Sequence, residues 1–328
     1  MNFLVTGGMG FIGSHVVKRL LKVGDVTIFD SFQVYVTPVQ PWFVENLHYR
    51  RLLTEGAKVV RGSTLNKDHL RRVIGEDRPE VIVHLAALPI ANLAQRSTEE
   101  AFENIVVGTN NLLSILQELE FDGLLVYISS SMVYGSFVRV PIQEEDYCRP
   151  IGMYGGAKLA GEVLVKSYAL ANPFSYIIIR PSAVYGPGDN NQRVVQIFLQ
   201  RALYRQPITV YTGPDMEMDF TYVEDTARGI FQAATSGSNA HNDTYNITRG
   251  QARSLWDLAE ITKEQFPQVV IKEEKDPHSF RPKRGALDIS KARHSLKYKP
   301  KVDFDLGVLA YLDYMLQYNP SLKDYTCE

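Results

Sequence analysis

Tyr154 and Lys158 stand four residues apart in "IGMYGGAKLAGE" (151–162). Four residues is one helical turn, so in a helix the two side chains share a face. An ammonium beside a phenol stabilises phenolate and lowers its pKa from about 10. Such a phenolate can take a proton from a sugar hydroxyl while hydride leaves the carbon. Alone, the pair also suits an ordinary surface helix, so neighbouring features must decide. Upstream, "YISSSMVYG" (127–135) brings three serines to the end of an apolar run. The C-terminal ends of strands are where ligands bind in an open parallel sheet. A serine there can orient a substrate oxygen and share its proton with Tyr154.

A second group of residues suits a dinucleotide. "TGGMGFIG" (6–13) follows the first apolar run and opens a helical pattern, with glycines at 7, 10 and 13. Gly7 permits a tight turn, Gly10 lets the backbone approach a pyrophosphate, and Gly13 lets helix and strand pack closely. The helix N-terminus adds N–H groups and a positive dipole end. A glycine triplet is a weak signal by itself, but this one sits at the first strand–helix junction, where such a site belongs. The next β-rich run ends in Asp30. A carboxylate there accepts hydrogen bonds from ribose hydroxyls and repels a 2′-phosphate, which favours NAD over NADP.

The elements that position these residues follow from hydrophobic pattern. "NFLVT", "DVTIFD", "AKVVRG", "PEVIVHLA", "GLLVYIS" and "YIIIRP" read as strands. They show little alternation, as strands covered on both faces should. Helical patterns lie between them, including "EEAFENIVVGTNNLLSILQELE" read as one helix. Strand–helix alternation predicts an α/β fold with a doubly wound parallel sheet. After Pro181 the rhythm loosens, with helical patterns in "RVVQIFLQRALYR", "VEDTARGIFQAATS", "SLWDLAEITKEQF" and "LGVLAYLDYMLQ". The expected organisation is a Rossmann domain over residues 1–180 and a smaller mixed α/β substrate lobe over 181–328. The boundary is soft, and parts of the C-terminal half are free to return to the sheet.

Bulk properties narrow the classes. The chain has 328 residues, 45% of them apolar and 22% charged, with a formal net charge of −2. This is a globular composition without the basic excess of a nucleic-acid binder. Cys148 and Cys327 give no disulfide framework, and the seven histidines make no metal pattern. The N-terminal stretch lacks a secretory leader's pattern, and the apolar runs are too short to span a bilayer. A soluble protein of the reducing cytoplasm is expected. His84 is expected to be packed, and "QEED" (143–146) to be a solvated acidic turn.

These segments together resemble the extended short-chain dehydrogenase/reductase family, in its nucleotide-sugar epimerase and dehydratase group. The carrying segments are "TGGMGFIG", Asp30, "HLAAL" (84–88), "NIVVGTNN" (104–111), "SSSMVYG" (129–135), "YGGAK" (154–158), "RPSAVYGPG" (180–188), "MDFTYVED" (218–225) and "ALDISKAR" (286–293). They occur in family order along nearly the whole chain. The resemblance implies NAD as cofactor, with Gly7, Gly10, Phe11, Ile12 and Gly13 along the pyrophosphate and Asp30 on the adenosine ribose. It sets Ser63, Thr64, Leu85, Ala86, Ala87, Asn104 and Pro181 beside the cofactor. It makes Ser130, Tyr154 and Lys158 catalytic, with Tyr154 and Lys158 also touching the cofactor. Leu88, Ser130, Ser131, Met132, Tyr154, Ala183, Arg193, Met218, Arg281 and Arg284 are the substrate candidates. It further implies a nucleotide-sugar substrate, UDP-linked in the first instance, and a homodimer packed through the helices around 104–120 and 154–171. No metal, nucleic-acid or membrane partner is implied.

Two departures narrow the reaction. Dehydratases and decarboxylases of the group carry carboxylates just after the catalytic Ser/Thr, where this chain has Ser131 and Met132. That favours C4 epimerisation through a transient 4-keto sugar over 4,6-dehydration. A nucleotide-sugar reductase uses the same residues, and a non-catalytic dinucleotide-binding regulator is the alternative of another class. The family's usual acidic Gly-Asp-x-x-Asp segment is "GSTLN" (62–66) here. Ala183 and Met218 stand where Asn and Arg usually hold the sugar's diphosphate, so Arg193, Arg281 and Arg284 are the candidates to supply that charge.

Overall fold

All six apolar runs fold as strands, and the first five are each followed by helix. The computed structural model describes residues 1–35, 42–213, 217–275 and 282–318. In chain order the first half comprises β1 (Asn2–Thr6), α1 (Phe11–Leu20), β2 (Asp25–Asp30), α2 (Trp42–Leu53), β3 (Lys58–Arg61), α3 (Lys67–Asp77), β4 (Val81–His84), α4 (Ala91–Arg96), α5 (Thr98–Phe102), α6 (Gly108–Glu118), β5 (Leu124–Ile128), α7 (Met153–Ala171) and β6 (Ser175–Pro181). The second half adds β7 (Val184–Tyr185), α8 (Val194–Leu203), β8 (Ile208–Thr212), β9 (Glu217–Met218), β10 (Thr221–Tyr222), α9 (Val223–Ala234), β11 (Asp243–Ile247), β12 (Arg253–Ser254), α10 (Leu255–Gln265), β13 (Ile271–Lys275), α11 (Ser290–Ser295) and α12 (Phe304–Tyr318).

The main sheet has seven strands in the order β11-β6-β5-β4-β1-β2-β3, and every pairing is parallel. Its seventh strand comes from the C-terminal half: β11 pairs with β6, Asp243 opposite Ile177. The winding reverses between β1 and β4, and the strand ends diverge there into a crevice. On one face α1 and α9 bury Val16, Val17, Ala227 and Ile230 against Val5, Ile28, Val83 and Val126. On the other, α3, α6 and α7 bury Leu70, Leu112, Leu116 and Val165 against Leu4, Ile82, Leu125 and Tyr127. A separate core joins α8, α10 and α12 to the parallel β8–β13 pair through Leu199, Leu258 and Tyr311.

Three local differences from the sequence expectations have physical causes. β3 is an edge strand and leaves Val59 46% exposed, so it is not covered on both faces. The segment read as one helix over 99–120 is broken by a π-helical turn at Glu103–Val107, a feature that re-aims side chains. α2 escapes the sequence pattern because its apolar residues form no stripe: Val44, Leu47 and Leu52 are all exposed. Among the described residues no helix is long and apolar enough to cross a membrane.

Candidate active site

α7 presents Tyr154, Lys158 and Glu162 at successive four-residue steps, and the last two are buried. The helix lies directly on the serine turn, because a Cβ on Gly155 would come within 2.5 Å of the Met132 carbonyl oxygen. Ser130 ends the strand segment with an extended backbone and caps a short 3₁₀ turn at Ser131–Tyr134, its Oγ accepting the Met132 N–H at 3.2 Å. Ser130 also hydrogen-bonds Tyr154. Lys158 Nζ donates to the Ile128 carbonyl at 2.7 Å and lies 5.4 Å over the Tyr127 ring. Sequence spacing therefore places the three catalytic candidates together.

Their electrostatics correct one expectation. The sequence argument has Lys158 lowering the Tyr154 pKa. In the structure burial dominates and raises it, while Arg193 and the Ser130 hydrogen bond pull it down. Burial also lowers Lys158 to about 8, with the Glu162 charge pulling it back up. Burying a charge disfavours the charged form, so both reactive groups rest closer to neutrality than free side chains.

The cofactor candidates form the adjoining half of a single cleft of 870 Å³. No side chain caps α1, which leaves the N–H groups of its first turn open to an anion. A Cβ on Gly13 would come within 2.2 Å of the Gly7 carbonyl, so only glycine permits this turn. Asp30 is held by the N–H groups of Met9 (2.9 Å) and Phe32 (2.7 Å). Burial raises its pKa, against those two hydrogen bonds and the Arg50 charge. Gly7, Gly10, Phe11, Ile12, Gly13, Asp30, Ser63, Thr64, Leu85, Ala86, Ala87, Asn104 and Pro181 all line the cleft. Asn104 belongs to the π-helical turn and is tied to the Glu100 carbonyl. The arrangement fits a dinucleotide: a bare helix end for the pyrophosphate, a fixed carboxylate for a ribose, and a groove between them.

The substrate candidates separate. Ser130, Ser131, Met132, Ala183, Arg193, Met218 and Arg284 line the cleft. Leu88 does not: it is fully buried with Ala94 and Ala101 behind Tyr154, since an apolar side chain here serves the core. Arg281 lies outside the described residues. Arg193 donates to the Val184 carbonyl at 2.9 Å and sits 5.7 Å over the Phe11 ring, between the cofactor turn and Tyr154. Arg284 approaches Met218 Sδ at 2.6 Å. His84 is packed as expected, between Thr6 and Thr109, and burial lowers it to about 3. "QEED" is not wholly solvated: the Glu144 carboxylate accepts the Asn246 N–H, and burial raises it to about 7.

Sequence reasoning missed two sets of residues. Arg50 reaches the cleft from α2, beside Asp30, and donates to the Gly188 carbonyl at 2.7 Å. No motif marks it, because α2 itself has no pattern. Ser129, Glu162 and Arg180 form a buried cluster beneath Lys158. Its one legible sign is that Glu162 continues the Tyr154–Lys158 spacing.

A sequence model of the NAD dependent epimerase/dehydratase family matches residues 3–248. The chain belongs to this family. It is similar to UDP-glucuronate 4-epimerase 1 of Arabidopsis thaliana, 27% identical over 97% of this chain and 77% of that one. Among solved structures it is similar to UDP-glucuronic acid 4-epimerase from Bacillus cereus in complex with UDP-glucuronic acid and NAD, with a TM-score of 0.86 and 28% identity over 97% of this chain and 99% of that one. It is also similar to UDP-glucose 4-epimerase from Thermotoga maritima with UDP-glucose, with a TM-score of 0.83 and 26% identity over 97% and 99%. The family is NAD-dependent, and NAD is the cofactor. Among the described residues lining the cleft, Asp30 is the only carboxylate, and it lies at the ribose end, away from the serine turn.

Proposed function

We propose that the protein epimerises a UDP-sugar at C4. The observation that carries this reading is a Ser130–Tyr154–Lys158 corner with no carboxylate among the described residues of its half of the cleft. Removing a carbon-bound proton, as 4,6-dehydration requires, needs such a base. Oxidation and reduction at one carbon do not.

When bound, NAD supplies a hydride acceptor and later donor. The chain's own residues do the rest. Ser130 Oγ, fixed by its capping bond, orients the C4 oxygen. Tyr154 Oη takes the C4 hydroxyl proton and returns it after the 4-keto sugar has turned over. Lys158 stabilises the phenolate across one helical turn. Arg193 and Arg284 hold the diphosphate in place of the family's usual Asn and Arg.

Glucuronate and glucose are the sugars to test first, since relatives named for UDP-glucuronate stand beside those named for UDP-glucose. The homodimer is also part of this proposal: Phe102 in α5 and Val163 and Leu170 in α7 are 48%, 56% and 91% exposed. Large apolar side chains left exposed on these two helices suit an association surface.

The test incubates the purified protein with UDP-glucuronate, UDP-glucose and UDP-N-acetylglucosamine, then with GDP-, CDP- and dTDP-sugars, following C4 stereochemistry by proton NMR. Inversion without net use of NADH supports the epimerase. Consumption of added NADH would mark a reductase, and silence across the panel would sink both readings.

A further inference from the structure

We propose that Glu162 and Arg180 are positioning residues for proton transfer: Glu162 sets its carboxylate one helical turn behind Lys158 and anchors the serine turn, while Arg180 holds that carboxylate in place. This rests on the assignment of Ser130, Tyr154 and Lys158 as the reactive group.

The geometry joins the three elements that carry that group. Glu162 follows Lys158 by four residues on the same face of α7, and it is buried. Ser129, next to Ser130 at the end of β5, donates from Oγ to Glu162 Oε1 at 2.5 Å. Arg180 on β6 donates from Nε to Oε1 at 2.9 Å and from Nη2 to Oε2 at 2.7 Å. Its guanidinium is fixed in turn over the Tyr134 ring at 4.7 Å and by the Glu144 carbonyl at 3.1 Å. Both carboxylate oxygens therefore accept hydrogen bonds, which fixes the side chain between β5 and β6.

The cost of this pair argues for a use beyond packing. Two buried charges are often no more stabilising than apolar residues of the same volume. What an apolar pair cannot supply is an anion beside Lys158. The groups facing that ammonium are His84 from β4, Tyr127 from β5 and Glu162 from its own helix, with the Ile128 carbonyl accepting its hydrogen bond. His84 is held neutral by burial. Glu162 is the charge that acts against the desolvation of Lys158. Without it the ammonium is lost at lower pH, and the positive charge one helical turn from Tyr154 goes with it.

The test compares Glu162→Gln, Glu162→Asp and the double variant Glu162→Gln/Arg180→Gln. The Tyr154 phenolate is titrated by near-ultraviolet absorbance in the NAD-loaded protein, subtracting the same variant with Tyr154→Phe. The pH profile of turnover is measured alongside. Glu162→Gln is expected to move the alkaline limb down by about one pH unit or more and to delay phenolate formation to higher pH. Glu162→Asp keeps the charge and should keep both near wild type, even with a lower melting temperature. If Glu162→Gln fails to fold because Arg180 is left buried and unpaired, the double variant removes that imbalance and must shift in the same direction. Melting temperatures that fall while the limb and the phenolate titration stay in place would make the pair merely structural and overturn the proposal. The phenolate titration needs no sugar, so it still reads this inference if no sugar in the panel is epimerised.

Discussion

At one end of the cleft the reactive polar groups are tied to fixed partners. Lys158 holds the Ile128 carbonyl, Ser130 holds the Met132 N–H, and Glu162 locks Ser129 to Arg180. At the other end, Arg193 and Arg284 reach in from irregular segments; the Arg193 side chain is 30% exposed and rests on the Val184 carbonyl, the Asp189 carboxylate at 3.8 Å and the Phe11 ring. The first end is preorganised for a proton that must move at one place. The second has to grip a diphosphate while the sugar turns over. Mutations at the first end should therefore act on turnover and those at the second on substrate affinity.

The largest effect expected is from Tyr154→Phe. It removes only the proton-carrying oxygen, and general acid–base catalysis of this kind contributes about 10²–10⁴-fold. The rate of C4 inversion should fall by that factor with NAD still bound, measured by NMR turnover and by the cofactor released on denaturation. Turnover within threefold of wild type would end the assignment of Tyr154 as base.

Lys158→Met should show that the reactive end is built at the expense of stability. Lys158 sits near pH 8 in the folded protein, below its ordinary 10.5, because burial opposes its charge. A depressed lysine binds fewer protons folded than unfolded, so its penalty is full below about pH 8 and fades as pH rises towards 10.5. Methionine removes that penalty: stability should rise by about 1–3 kcal/mol at neutral pH, with the gain shrinking in alkali, while turnover falls about a hundredfold. Paired urea titrations at neutral and alkaline pH check the sign. In wild type, turnover should decline as pH climbs past 8 and the ammonium is lost.

The contrast between the two ends also explains what could be read from the sequence. The reactive end is set by short-range spacing: one turn of helix from Tyr154 to Lys158, three serines at a strand end, and glycines at a strand–helix junction. Such patterns survive without knowledge of tertiary contacts. Glu162 carries the same spacing, yet its partner Arg180 becomes visible only when β6 lies beside β5. Arg50 comes from a helix with no apolar stripe, and chain folding alone brings it near Asp30. Leu88 was placed wrongly because a motif fixes sequence position but not which side of the backbone faces the cleft.

Arg193→Met should act at the second end. A lost hydrogen bond to a charged group costs about 1.5–3 kcal/mol, or roughly 10–100-fold in KM for the UDP-sugar. Retention of NAD should be unchanged. If kcat fell while KM held, Arg193 would belong functionally with Tyr154, whose titration its charge also affects, and the boundary between the two ends would move.

The smallest effect is a gain. Ala183 stands in the left-handed region, with φ at 37°, at the junction of β6 and β7, and its carbonyl accepts the Thr221 N–H at 3.3 Å. An L-residue pays for that conformation, whereas asparagine tolerates it through local side-chain hydrogen bonds. Ala183→Asn should therefore raise stability by about 0.5–1 kcal/mol, seen as a higher urea midpoint at unchanged slope. Because the new amide also faces the cleft beside Met218, KM for the UDP-sugar should fall or hold steady and kcat should not change. A lower midpoint would mean that the cleft wall at this position is too tightly packed to accept the side chain, and that the second end is less loosely built than the first comparison implies.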